Sequence, residues 1–451
     1  MKPRGRLLKK LPVLVPILLL ALDLPAFATN GLNLIGYGAR STSLGGAFTA
    51  VSDDTASINT NPAGLTQIQS RSLELSLDFS VPSLDHGDVF SGVVSGPRKL
   101  VFVPWLGYAQ KLKGTPLTVG IAVFTQGGVG SEYNGIKTAF GTEDDLFVDL
   151  QYMRIAPAIA YQLSDRLSVG FAFFVGRSML DLQFFPNTSC ASLPPPLPSP
   201  LPCLAFIPPG PSGSPTFFGL DLDGAEAWGV GGRIGILYQA TDWLSLGLQY
   251  ATPSSLDHND GDLVLDMSSI GLGKVKYEGS LDDFSWPQEL SLGVAFRLIK
   301  GLQVSADLKW INWDGALNTP VLKARNPNVP VSDELRNIDI PMKLNWKNQW
   351  VFALGLAYNV TDRLVMRGGY NRGNNPVPGE TLSPLFATIL EDHFAIGLGY
   401  TFKTFSFDLT YIRGLTEKVS YTNPDLFFFN AFEKATLNSV EFMIRYRFGG
   451  F

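Results

Sequence analysis

The chain has 451 residues, of which 45% are hydrophobic, 12% aromatic and only 17% charged. A soluble protein of this size carries charge on about a quarter of its residues, so the composition argues against an ordinary water-facing surface. The formal net charge of −5 argues against nucleic acid as a partner.

The first 28 residues read as a secretory signal peptide. Lys2, Arg4, Arg6, Lys9 and Lys10 precede an apolar core from Leu11 to Leu22, and Ala26-Phe27-Ala28 forms a small-x-small cleavage site. The core is broken by Pro12 and Pro16 and is too short for a spanning helix, which needs roughly 20 apolar residues. Removing this segment leaves 30 basic and 39 acidic residues, a net charge of −9. Export makes a disulfide the expected state of the two cysteines, Cys190 and Cys203. Three histidines without ligand spacing predict no metal site, and nothing in the chain calls for a cofactor.

Residues 29–70 are rich in Gly, Ser, Thr, Asn and Ala, yet carry Leu32, Leu34, Ile35, Leu44, Phe48, Val51, Ile58 and Leu65. Those are too many apolar groups for a solvated tail. From residue 71 to the end the pattern alternates with period two, the signature of strands with one face in lipid and one in a lumen. In the last segment Val440, Phe442, Ile444, Tyr446 and Phe448 fall opposite Glu441, Met443, Arg445 and Arg447. Leu364, Met366 and Tyr370 repeat the pattern opposite Arg367 and Asn371, and Leu302, Val304, Ala306 and Leu308 opposite Gln303, Ser305, Asp307 and Lys309.

Short turns recur at Leu163-Ser164-Asp165-Arg166-Leu167, Ala240-Thr241-Asp242-Trp243-Leu244, Ile299-Lys300-Gly301-Leu302 and Val360-Thr361-Asp362-Arg363-Leu364, with two more at Lys113-Gly114-Thr115 and Lys403-Thr404. Between them lie long connections near 82–99, 130–147, 185–225, 253–274, 315–346, 374–391 and 415–437. Six short turns and seven long loops join 14 strands. That asymmetry predicts an all-β, transmembrane antiparallel barrel over residues 71–451, in the outer membrane of a Gram-negative bacterium. A closed barrel has no free edge, which predicts a monomer. The loop at 185–225 holds a proline cluster between the two cysteines and serves either as a binding lip or as a rigid spacer. Phe448 ends the last strand in phase with the lipid face; Phe451 does not, which calls for a bulge or a frayed tail.

Lumen-side positions are often small: Ala156, Ala158 and Ala160; Gly170 and Ala172; Gly229, Gly231 and Gly235; Ala353, Gly355 and Ala357; Gly397 and Gly399. Small residues leave volume, and residues 29–70 are the available filling. Charges on that face are few: Arg154, Arg233, Arg297, Lys309 and Arg367, with Asp307 and Asp408. The basic ones either form salt bridges within the wall or receive an anionic head group. No spacing ties Ser, His and Asp into a catalytic set; His393 beside Asp392 is the only suggestive pair.

Gly38-Ala39-Arg40-Ser41-Thr42-Ser43-Leu44-Gly45-Gly46-Ala47-Phe48, then Asp53-Asp54-Thr55-Ala56, then Asn61-Pro62-Ala63-Gly64-Leu65 resembles the plug, or hatch, of the FadL/TodX family of outer-membrane transporters. Phe124 to Tyr133 is similar to the family's third strand, which kinks inward and opens a gap in the wall. Gly127, Gly128 and Gly130 permit such a break. Arg367-Gly368-Gly369-Tyr370 and Glu391-Asp392-His393-Phe394 resemble the family's strands 11 and 12, with His393 and Asn371 as departures from its polar pattern. The resemblance implies transport and no enzymatic activity. A hydrophobic small molecule, a fatty acid by default and a hydrocarbon or aromatic otherwise, would enter past the loops, meet Arg154, Lys309, Arg367 or His393, and leave toward outer-membrane lipid near strand 3. An adhesin or a surface enzyme is the reading of another class. Residues 61–63 mark the plug.

Overall fold

The computed structural model describes residues 30–191 and 216–449. Fourteen strands close a single barrel: β1 (Arg71–Asp88), β2 (Val101–Lys111), β3 (Leu117–Lys137), β4 (Glu143–Gln162), β5 (Leu167–Ala191), β6 (Thr216–Thr241), β7 (Leu244–Ala251), β8 (Glu289–Ile299), β9 (Leu302–Ile311), β10 (Gln349–Asn359), β11 (Leu364–Gly373), β12 (Asp392–Phe402), β13 (Phe405–Asn423) and β14 (Phe428–Phe448). Each pairs antiparallel with the next, and β14 returns to β1 with Phe448 opposite Arg71. Closure satisfies the ladders around the wall except where β2 and β3 part above Trp105–Phe124.

The alternation read from the sequence is the inside–outside alternation of the wall. On β10, Trp350, Phe352, Leu354, Leu356 and Tyr358 point out, while Gln349, Val351, Ala353 and Gly355 point in. On β12, Phe394, Ile396, Leu398 and Tyr400 face out opposite His393, Ala395, Gly397 and Gly399. Ile396 is 65% exposed and Trp350 55%. A continuous apolar band of this kind belongs against hydrocarbon. Among the described residues no helix is long and apolar enough to cross a membrane; the apolar band is carried by strands.

The six short turns are where the sequence places them, but four of the long loops are shorter than expected, the one at 82–99 because β1 continues to Asp88. β3 and β4 continue to Lys137 and from Glu143, leaving only residues 138–142 between them. β13 and β14 likewise close at 424–427, and β5 and β6 extend to Ala191 and from Thr216. The upper parts of these hairpins stand clear of the lipid band, so their faces meet protein or water. The backbone ladder continues while the lipid-driven alternation that marks a strand in sequence fades. Two other loops fold into a small ladder, His258–Asp266, Lys274–Asp282, Val321–Arg325 and Ile338–Pro341, which extends from the top of β6.

Cys190, near the end of β5, is disulfide-bonded. Cys203, the proline cluster, Phe451 and the expected signal peptide lie outside the described residues.

Residues 30–68 pack inside this wall as two short helices, Ala39–Ser43 and Ser57–Thr60, and a 3-10 turn, Pro62–Gln67. Nearly all are buried. The small lumen residues accept them. A Cβ on Gly170 would meet the backbone of Pro62 and Ala63, and one on Gly235 the amide of Asn61. Equivalent positions on Gly355, Gly369 and Gly397 are taken by Leu44, Gly45 and Ser43. Gly231 and Gly399 serve their neighbours in the wall instead, Phe174 for the first and Arg367 with Asp408 for the second.

Candidate functional site

The N-terminal segment is held by polar groups aimed inward from opposite sides of the barrel. Asn61 sits at the N-cap of the 3-10 turn, where its Oδ1 accepts from the Ala63 amide at 3.2 Å. Its Nδ2 donates to the carbonyl of Thr49 at 2.8 Å and to that of Ile236 on β6 at 3.0 Å. One side chain therefore folds the turn, ties it to the preceding loop and docks both on the wall. Pro62 opens the turn with a fixed φ and no amide to satisfy.

Across the lumen, Asp307 on β9 accepts from the amides of Phe48 and Thr49 at 3.0 and 2.8 Å. Asn371 on β11 donates to the Gly45 carbonyl at 2.9 Å, and Thr410 on β13 to the Ala39 carbonyl at 2.6 Å. At the β14–β1 seam, Glu74 accepts from the amide and hydroxyl of Thr55 at 2.9 and 2.6 Å. Arg445 pairs with both Glu74 (2.8 Å) and Asp54 (3.1 Å), and Arg40 with Asp53 (2.7 Å) and Asp54 (3.4 Å). The Asp53-Asp54-Thr55 motif thus bridges the first and last strands.

Strand β3 carries the irregularity expected of its glycines. Its ladder to β2 runs from Lys111–Thr118 only as far as Trp105–Phe124, whereas its ladder to β4 continues to Lys137–Glu143 with a register shift between Thr125 and Gly127. Above Phe124, β3 has left β2. Gly127 instead bridges to Asn33, and the Gly128 amide donates to the Leu32 carbonyl at 3.0 Å. That carbonyl occupies the place a Cβ on Gly127 would need. Gln126 turns inward and joins Asn33, Tyr37 and Asn59 in one hydrogen-bonded group. Beside the break lies a cavity of about 170 Å³ lined by Leu84, Val101, Gly130, Phe147 and Val148. An ion pair between Lys99 and Glu132 spans its rim.

The four basic side chains singled out in the sequence have different surroundings. Arg154 stands directly opposite Phe124 on β3, is 1% exposed, and stacks on Phe174 at 4.0 Å and Tyr152 at 4.8 Å. Among the described residues it forms no ion pair, in contrast to Arg233, which reaches Glu289 at 3.4 Å and Gln249 at 2.7 Å. Lys309 lines a small polar cavity with Tyr37, Arg233, Gln249 and Glu289. Arg367 is paired with Asp408 at 2.6 Å. His393 is buried, and among the described residues neither ring nitrogen has a hydrogen-bond partner. Arg297, placed on the lumen face by alternation, is instead exposed at the short-turn rim, where its strand ends and it donates to Gln239 at 3.3 Å.

Sequence reasoning passed over Glu289, which accepts from Asn33 at 2.9 Å, and a line of aromatics above it. Tyr152 and Trp286 have ring centroids 4.8 Å apart, Trp286 and Trp313 6.1 Å, and Trp313 and Trp346 5.2 Å. Trp286 donates to Asn33 at 2.9 Å. Three wholly buried tryptophans in loops were the available signal, because solvated loops rarely bury them.

Comparison with known proteins agrees with this architecture. The family model "Outer membrane protein transport protein (OMPP1/FadL/TodX)" matches residues 25–446. The toluene transporter TodX of Pseudomonas putida covers 93% of this chain and 100% of its own, with a TM-score of 0.73 at 21% identity. A FadL homologue of Pseudomonas aeruginosa has the same coverage and TM-score at 15% identity. Outer membrane protein P1 of Haemophilus influenzae is 27% identical over 151 residues, an alignment spanning 33% of this chain and 30% of that protein. The closed 14-stranded wall and the match over almost the whole chain lead to one conclusion: the protein belongs to the OMPP1/FadL/TodX family of outer membrane transport proteins.

Proposed function

We propose that the protein admits long-chain fatty acids by passive diffusion, with residues 29–70 as the plug that closes the lumen. A ligand enters between the extracellular loops, lodges beside Arg154 and Lys309, and leaves sideways at the break between β2 and β3 toward outer-membrane lipid. The observation that carries this reading is Arg154. A buried guanidinium stacked on two aromatic rings, with no carboxylate at ion-pair distance among the described residues and Glu289 acting on it only from farther off, is matched to an amphiphile whose head is anionic and whose tail lies along apolar walls. Its position at the foot of the break supports the sideways path. Passage requires that ligand and plug compete for the same contacts, so that the ligand binds the displaced state better.

A second reading, an aromatic or alkane hydrocarbon, is favoured by the line from Tyr152 through Trp286 to Trp346 and by the toluene transporters among the similar structures. Uptake of labelled oleate and of toluene by cells with and without the protein separates the two. The fatty-acid reading predicts protein-dependent oleate uptake that falls at least severalfold in Arg154→Met, with toluene uptake unchanged. Equal uptake of both in the two strains would remove the transport reading.

A further inference from the structure

The break between β2 and β3 has two sides, and the glycines of β3 account for one of them. In an antiparallel ladder each residue turns its N–H and C=O toward one neighbour, and successive residues alternate between the two neighbours. The phase on β2 is fixed at its lower end. The Lys111 amide donates to the Ser70 carbonyl at the foot of β1, and the Leu112 amide to the Leu117 carbonyl of β3, at 3.0 and 2.9 Å. Stepping back from Leu112 in twos, Gln110, Tyr108, Leu106 and Pro104 face β3. The Pro104 carbonyl does point there and accepts from the Thr125 hydroxyl at 3.1 Å, but proline has no amide to give. The β2–β3 ladder ends one residue below, at Trp105–Phe124. The same arrangement recurs on β1. Its ladder to β2 stops at Ser80–Val101. The Leu84 carbonyl accepts from the Gly96 amide at 2.9 Å, on the side away from β14. Ser80, Pro82 and Leu84 share that phase, so the next nitrogen above the last pair is again a proline's. Pro82 also lines the cavity of about 170 Å³ beside the break.

We propose that Pro82 and Pro104 are positioning residues that keep the wall parted beside β3. Phe79 and Phe102, a cross-strand pair with ring centroids 5.3 Å apart, set the last β1–β2 pairs at the level of the outer apolar band. At that depth no water replaces a lost ladder bond, so an amide facing the break would be driven to pair with the strand beside it. A proline carries no such amide, and each open edge leaves one donor fewer unsatisfied. The Thr125 hydroxyl meets the acceptor that Pro104 retains. Proline belongs at strand edges for this reason, since it blunts the edge as a template for pairing. Gly127 and Gly128 let β3 turn inward; Pro104 keeps β2 from recapturing it, and Pro82 keeps β1 from extending its ladder across the cavity. This role deepens the proposed sideways route by naming what holds the exit apart. Its effect on uptake rests on that route, whereas its effect on the ladder does not.

The test is Pro104→Val and Pro82→Val, singly and together, in the full mature chain in lipid nanodiscs. Leu106→Val is the control, because its amide already faces β3 within the ladder. Hydrogen exchange followed by NMR reads the amide that each substitution introduces. At positions 104 and 82 it should exchange at least about a hundredfold more slowly than in an unstructured peptide, as a ladder amide does. Pro104→Ala should match Pro104→Val, since the amide and not the side chain decides. Oleate uptake by cells should fall severalfold in Pro104→Val and be unchanged in Leu106→Val, with heat-modifiable gel mobility normal in every variant. Free exchange at either introduced amide overturns the proposal, whatever uptake does. Protection at both positions with unchanged uptake upholds it and removes the sideways route instead.

Discussion

At the scale of single residues, the most economical contact in the molecule is Asn61. Replacing it with Ala removes the donor from the buried Thr49 carbonyl and the part-buried Ile236 carbonyl, and the acceptor for the Ala63 amide. Buried partners left unsatisfied cost about 1–3 kcal/mol. That loss falls on the docking of the segment and not on the wall, whose ladders do not involve Asn61. Asn61→Ala should therefore fold to a barrel of normal heat-modifiable mobility in gels while changing oleate uptake; failure to assemble would contradict this division. His258, in the extracellular ladder, gives a pH-dependent case. Burial pushes its pKa down from 6.5 to about 4, so the folded ladder holds it neutral. Its contribution to stability is complete above pH 6.5 and is lost as pH falls from 6.5 toward 4. Hydrogen exchange of residues 258–282 should accelerate across that window, and His258→Gln should flatten the dependence.

At the scale of elements, β3 and the N-terminal segment are coupled because β3 gives up its ladder to β2 and bonds to Leu32 and Asn33 instead. Displacing the segment removes those substitutes. Deleting residues 30–70 should raise the single-channel conductance of the protein in planar bilayers from a very small value to that of an open pore. Unchanged conductance would move the gate to the loops. The Lys99–Glu132 pair over the neighbouring cavity is largely exposed at Lys99 and worth less than about 1 kcal/mol. Glu132→Gln should accordingly leave stability within about 0.5 kcal/mol. If the ligand leaves there, oleate uptake should rise modestly; a fall would place the exit elsewhere.

At the scale of the whole molecule, the described strands close into one sheet with no terminal edge, the upper part of β2 beside the inward-turned β3 being the place where the ladder is interrupted. We expect a monomer in the membrane, which cross-linking in native envelopes would disprove by trapping a discrete trimer. The seam where the chain closes on itself is reinforced from inside, since Asp54 and Thr55 join Arg445 and Glu74. Charge-reversing Glu74 to Lys should loosen that seam and slow folding of the full chain more than the same change at an exposed turn.

Much of this was legible in the amino-acid order because a membrane imposes a strict local rule. Each lipid-crossing residue faces either hydrocarbon or lumen, so alternation survives in the sequence, as in Val440 to Phe448 and Trp350 to Tyr358. Turn chemistry at Gly301 and around Asp165 and Asp362 is equally local, and so were the fourteen strands and the small lumen residues. Other features depend on groups far apart in the chain. Arg233, Arg367 and Arg154 look alike in sequence; only the fold gives the first two ion pairs with Glu289 and Asp408 and stacks Arg154 on aromatic rings. The hairpin tops at 130–147 and 415–437 were hidden because, outside lipid, a paired strand has no obligatory pattern. The partners of Gly127 and Asn61, nearly a hundred residues or more away, were decided by tertiary structure, since a hydrogen bond needs position as well as chemistry.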